Sequence, residues 1–151
     1  MHQHKKGYFI RFMKIKDLAI SYHIVNLIFS FIIAIIFVYS LIFYADTHPI
    51  PAMLTETTGI VPPSKGLSSS FSEIIRGNFY QSLTYNPHGI RVFSFFALQL
   101  LLRIMFSLLV KLKGEMISRI VLIDTVVSII LFLGCFAPFI AYILELFKGL
   151  F

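Results

Sequence analysis

Tryptophan is absent from the 151 residues, and cysteine occurs once, as Cys135. A single thiol excludes an internal disulfide and any metal site built on paired cysteines within the chain. Charge is also scarce. Asp, Glu, Lys and Arg make up 13% of the residues, about half of what a soluble domain carries. No phosphate-binding glycine loop, zinc spacing or paired-carboxylate site can be read along the chain. What is present is apolar: 58% hydrophobic residues, with seventeen Phe and seven Tyr. The mean hydropathy of +0.86 points to lipid as the solvent. The net charge of +6 would suggest nucleic acid in a soluble protein. Here the basic residues flank hydrophobic runs, which is the signature of membrane topology, and no nucleic-acid partner is expected.

The length suits one domain. Residues 1–18 form a basic arm with Lys5, Lys6, Arg11, Lys14 and Lys16 against Asp17 alone. The first apolar run covers 19–44, far longer than the core of a signal peptide, so it reads as a retained helix. A second run covers 89–110 and a third 120–144. Each is long enough to cross about 30 Å of hydrocarbon. Residues 45–88, 111–119 and 145–151 are the connections and tail. The fold class is therefore all-α: an integral membrane protein of three spanning helices. Pro138, one turn after Gly134, predicts a kink in the third helix. Lys111, Lys113 and Arg119 add to the basic count on the arm side, while residues 45–88 hold only Lys65 and Arg76. The positive-inside rule places the N-terminus in the cytoplasm and the C-terminus outside. Lipid head groups are incidental partners of the arm.

The outer connection is too long to be a turn. Its first part, with Pro49, Pro51, Gly59, Pro62, Pro63 and Gly66, is expected to be irregular. Ser70-Phe71-Ser72-Glu73 has capping-box spacing, which predicts a helix starting at Ser70. Phe71, Ile74 and Ile75 then share one face, and Gly77 is placed to end that helix. Phe79 and Leu83 repeat the pattern. One or two short amphipathic helices should lie at the outer interface, as a lid or as a re-entrant element. Asn86-Pro87 is suited to open the second spanning helix.

The stretch Thr58-Gly59-Ile60-Val61-Pro62-Pro63-Ser64-Lys65-Gly66-Leu67-Ser68-Ser69, with Arg76-Gly77-Asn78 and Tyr85-Asn86-Pro87 after it, resembles a motif of small bacterial membrane proteins. That family is the domain of unknown function 2752. Its members carry Cys-Pro-x-Cys-Gly-Leu-Thr-Arg, then a Gly-Asp step, then Asn-Pro before the next membrane helix. The match covers residues 58–87 and the order of the membrane segments. Pro62 and Lys65 stand at the cysteine positions and Ser69 at the arginine, so thiol or metal chemistry by that pair is absent. Pro63, Gly66, Leu67, Gly77, Asn86 and Pro87 retain the backbone part. The resemblance implies a bacterial cytoplasmic (inner) membrane protein and supplies no activity.

Ionisable residues inside a spanning helix cost about 2.5–3.5 kcal/mol each on insertion scales, so each needs a partner or a purpose. Arg103 and Asp124 lie at nearly equal depth in an antiparallel hairpin turning near Lys113-Gly114. They are expected to pair or to share a polar pocket. Gln99 is one turn from Arg103, and His23 and Asn26 enter from the first helix to a similar level. The five form a candidate intramembrane polar cluster. Such clusters commonly join helices; the sharper alternative is a proton or ion path.

Smaller candidates add little. His2 and His4 lack a third ligand nearby, so no metal or cofactor is expected. His48 and His88 flank the outer loop and, with Lys65, would be needed by a membrane enzyme acting on a lipid-linked substrate. Cys135 reads as packing. Ser30 and Ala34, and Ala137 and Ala141, are spaced for close helix contact. The expected function is a non-enzymatic accessory or structural subunit, partnered by other membrane subunits. The alternative is a homo-oligomeric channel or transporter using the polar cluster.

Overall fold

The computed structural model describes residues 2–45, 47 and 62–148, the first thirteen of these as helical backbone. The expectations on Pro49, Pro51 and Gly59, on His48 and on Thr58 to Val61 fall outside the described residues. So do the side chains of His2 and His4.

Helix α1 runs His2–Ile42. Two short helices follow, α2 over Leu67–Ile75 and α3 over Phe79–Tyr85. Helix α4 covers Gly89–Leu112 and α5 covers Ile117–Lys148. A single 3-10 turn, Gly114–Met116, joins α4 to α5. Among the described residues there is no strand. Three segments are long and apolar enough to cross a membrane: Ile15–Ile42, Gly89–Leu112 and Gly114–Lys148. The chain is an all-α, multi-pass membrane protein.

The boundaries differ from the expected ones in an instructive way. The basic arm is not separate from the first span, because α1 continues through it. The connection expected over 111–119 shrinks to the turn around Gly114, because apolar Ile117 and Ile120 are drawn into the bundle. α5 is one continuous helix through Pro138.

Helix α4 is the middle of the three. It packs on both α1 and α5, whereas α1 and α5 meet each other much less. Two apolar clusters hold the bundle, one at each end. At the arm end, Tyr22, Phe106, Val110, Ile117 and Ile120 are buried together. At the loop end, Phe71 and Ile74 of α2 pack on Val92 of α4, with Ile36, Phe93 and Phe136 around them. The outward faces are apolar as well: Leu27, Leu101 and Leu122 are each more than 60% exposed. In water such a surface would drive aggregation; in a bilayer it meets hydrocarbon.

The start of α2 corrects the capping-box reading. The helix begins at Leu67, three residues before Ser70. Gly66 sets the start with φ +77°, and Ser70 N–H donates to the Gly66 carbonyl at 2.9 Å. Ser70 is therefore inside the first turn and buried, with no hydrogen-bond partner for its hydroxyl among the described residues. Glu73 does not reach back to Ser70; its carboxylate accepts from Asn78 Nδ2 at 2.8 Å. At the other end Gly77 takes φ +83°. Asn78 N–H donates to the Glu73 carbonyl and Gly77 N–H to the Ile74 carbonyl. That is the Schellman pattern, which satisfies two otherwise orphaned carbonyls.

Candidate functional site: a polar network inside the apolar bundle

The polar residues of the three spanning helices fall at helical i, i+4 spacing. α1 supplies Tyr22 and Asn26, α4 supplies Gln99, Arg103 and Ser107, and α5 supplies Asp124 and Ser128. Residues four apart share one helix face, so each helix presents a short polar stripe to the others.

Arg103 is the centre. Its Nη2 donates to Asp124 Oδ1 at 2.6 Å and its Nη1 to Asp124 Oδ2 at 2.8 Å. This is a two-pronged ion pair, and the Asp124 side chain is only 3% exposed. Nη1 also reaches Asn26 Oδ1 at 3.0 Å, and Nη2 reaches Ser128 Oγ at 2.6 Å and Gln99 Oε1 at 3.2 Å. Tyr22 Oη donates to Asp124 Oδ2 at 2.6 Å. Asn26 Nδ2 donates to Ser107 Oγ at 3.1 Å. Buried charges are tolerated only when paired and hydrogen-bonded, and both conditions hold here.

Four of the five residues singled out from the sequence meet in this network: Arg103, Asp124, Gln99 and Asn26. His23 does not. It is half-exposed, and its ring is tilted by 60° to that of Tyr22 with centroids 6.4 Å apart. Adjacent helical residues point about 100° apart, so once Asn26 faces the bundle its partner one turn earlier is Tyr22. Tyr22, Ser107 and Ser128 join the network beyond the five expected residues. The signal for each was its four-residue spacing from a polar residue already noted.

The network is open on one side. A cleft of about 400 Å³ lies between α1 and α5 with α4 as its floor. Phe29, Ile129 and Phe132 form its apolar walls. Arg103, Asp124 and Ser128 form the polar part, with Thr125 at the edge. Among the described residues, the buried Gln99 Nε2 has no acceptor.

The outer loop residues that retain the motif shape do backbone work. Asn86 Nδ2 donates to the carbonyls of Pro63 at 2.8 Å and Lys65 at 2.7 Å, while Asn86 Oδ1 accepts from His88 N–H at 2.8 Å. One side chain thus ties the loop to the start of α4. Gly66 lies against the Tyr85 carbonyl, and an added Cβ there would collide with that oxygen. Leu67 opens α2, and Pro87 stands exposed in the turn before α4.

Arg76 is more than a charge in the outer loop. Its guanidinium donates to the carbonyls of Ser72, Ser40 and Leu41 at 2.7, 3.2 and 2.9 Å. It also lies 4.2 Å from the centre of the Tyr44 ring. The last four carbonyls of a helix lack partners within it, and a cation there complements the helix dipole. Arg76 therefore caps α1 from the outer loop. Ser69 Oγ donates to the Ala45 carbonyl at 2.6 Å and holds the same junction. His88 packs its ring on Phe139. Ala137 and Ala141 are exposed, so their close-contact spacing is not used among the described residues.

No protein-family model, curated protein or solved structure matches the chain.

Proposed function

We propose that the chain is a non-enzymatic accessory or structural subunit of a larger complex in the bacterial cytoplasmic (inner) membrane. The observation that carries this reading is the engagement of Arg103. Its guanidinium donates to side chains on all three spanning helices. A group so engaged joins helices; it is not free to take up substrate or pass on a proton. Much of the remaining surface of the spans is apolar and exposed, as a helix-contributing subunit requires.

The proposed orientation is N-terminus in the cytoplasm and C-terminus outside. It is supported by the meeting of Ile15 and Ala19 with Ile117 and Ile120 at one end of the bundle. The basic arm and the basic α4–α5 turn therefore lie on the same side. Divergent descent from the domain of unknown function 2752 family is part of the proposal. The backbone roles of Gly66, Gly77 and Asn86 support it.

The alternative is a homo-oligomeric channel or transporter whose path includes Arg103 and Asp124. The cleft that opens on this pair favours it. The packing of Phe71, Phe93, Phe96, Phe136 and Phe139 at the loop end counts against it, because those rings place an apolar plug between the network and the outer surface.

Purification of the chromosomally tagged protein in gentle detergent, followed by mass spectrometry, tests the proposal. Stoichiometric partner subunits are expected. Recovery of this chain as a lone monomer would overturn it.

A further inference from the structure

Helix α3 has its side chains sorted by chemistry around its axis. Among the described residues it packs on α2 and α4, and its backbone comes close to neither α1 nor α5. It therefore lies beside the end of the bundle and does not cover it, as a lid over the three spans would. Ser82 is fully buried and marks the packed side. At about 100° per residue, Phe79 and Leu83 fall about 60° and 100° to one side of Ser82, and Gln81 about 100° to the other. Tyr80 and Thr84 lie opposite Ser82, Tyr80 toward the apolar flank and Thr84 toward the polar one. Phe79, Tyr80 and Leu83 are 56%, 84% and 45% exposed, and Gln81 and Thr84 are exposed too.

The level of α3 follows from α4. α3 ends at Tyr85 and α4 begins at Gly89. The Asn86 side chain and the close approach of Gly66 to the Tyr85 carbonyl fix that junction. The exposed charges of α4 are Arg91 and Lys111. They are about 30 Å apart at about 1.5 Å per residue, the thickness of the hydrocarbon core. Arg91 thus marks the loop-side boundary between acyl chains and head groups, and α3 sits beside it.

At that level a helix meets hydrocarbon on one side and water on the other. The division of Phe79 and Leu83 from Gln81 and Thr84 along the axis fits such a boundary. Tyr80 is placed where an aromatic body is apolar and its hydroxyl wet. α3 carries no charged residue, so no lost ionic hydration opposes insertion of the apolar flank.

We propose that α3 lies in the plane of the membrane at the loop-side head-group boundary. Phe79 and Leu83 insert among the acyl chains, Tyr80 sits at the boundary, and Gln81 and Thr84 face water. The partner of this surface is the lipid itself. α3 thereby anchors the loop that caps α1 through Arg76, independently of any partner subunit.

The chain has no Trp, so one introduced indole reports one position. Leu83→Trp and Phe79→Trp probe the apolar flank, and Thr84→Trp and Gln81→Trp the polar one. Each full-length variant is placed in phosphatidylcholine nanodiscs, with or without bromine on the acyl chains. On the apolar flank the expected result is blue-shifted emission, loss of intensity with brominated lipid and protection from dissolved acrylamide. On the polar flank the reverse is expected. Two positions on each flank keep the comparison readable if one variant fails to fold. Acrylamide quenching at all four positions, without lipid quenching, would place α3 clear of the bilayer and overturn the proposal. Lipid quenching at all four would submerge the helix and remove its water-facing flank, which overturns it equally. Protection of Leu83→Trp and Phe79→Trp from both quenchers would show that protein covers the flank, and lipid is then not the partner.

Discussion

Arg103 and Asp124 face each other through two parallel N–H···O bonds of 2.6 and 2.8 Å, from helices that cross the membrane in opposite directions. No uncharged residue can replace one member without leaving the other charge alone. Arg103→Leu or Asp124→Leu should each destabilise the fold by about 3–5 kcal/mol, the usual cost of stranding one partner of a buried pair. The double substitution to Leu should recover most of that loss, since it removes both charges. Unfolding in detergent followed by loss of helical signal is the measurement. A double variant no more stable than the worse single would count against the pair as an isolated unit.

Tyr22 and His23 offer a sharper contrast on one helix. Tyr22→Phe removes a 2.6 Å bond to a carboxylate and should cost about 1.5–3 kcal/mol. His23→Ala touches a half-exposed ring outside the network and should change stability by less than about 0.5 kcal/mol. The same unfolding assay compares them. A larger loss for His23→Ala would mean that α1 is rotated from the orientation described.

Arg76 holds the end of α1 through several carbonyl acceptors at once. Arg76→Ala should cost about 1–3 kcal/mol and speed amide hydrogen exchange in the last turn of α1 and in α2. Arg76→Lys should not restore protection, because an ammonium lacks the planar fork that spans separate carbonyls. Exchange rates matching those of the native chain in the Lys variant would refute the capping role.

The two left-handed glycines of the loop differ in surroundings. Gly77→Ala adds a methyl into open space and should cost about 1–2 kcal/mol from backbone conformation alone. Gly66→Ala meets the Tyr85 backbone as well, which cannot swing aside as a side chain can. Its cost should be about twice as large. Thermal unfolding of the two variants side by side checks the order, and equal losses would show that Gly66 is less tightly held.

Much of the architecture was legible because its cause is local. A run of apolar residues long enough to cross hydrocarbon becomes a helix wherever it lies, since no water is present to satisfy its backbone. A four-residue polar spacing within such a run marks one face. The short turn between the second and third runs sets Arg103 and Asp124 at matching depth. The Gly77 signal also acts within a few residues, whereas Asn86 binds the Pro63 and Lys65 carbonyls and α4 starts after His88 with no side-chain cap.

What only the tertiary structure decided depends on partners far along the chain. Whether Tyr22 or His23 turns inward is set by the rotation of α1 about its axis, and the helical pattern of an all-apolar surface does not specify that rotation. The start of α2 is set by Gly66, held at positive φ against the Tyr85 carbonyl, so a locally plausible capping box at Ser70 gave way to packing. Arg76 caps α1 only because the fold brings the Ser40 and Leu41 carbonyls beside it. The sequence by itself determined three helices, their order and the depth of their charges, because each follows from the free energy of short segments in lipid. Which faces meet, and which side chains close the network, is a property of the assembled bundle, where contacts between distant segments outweigh local preference.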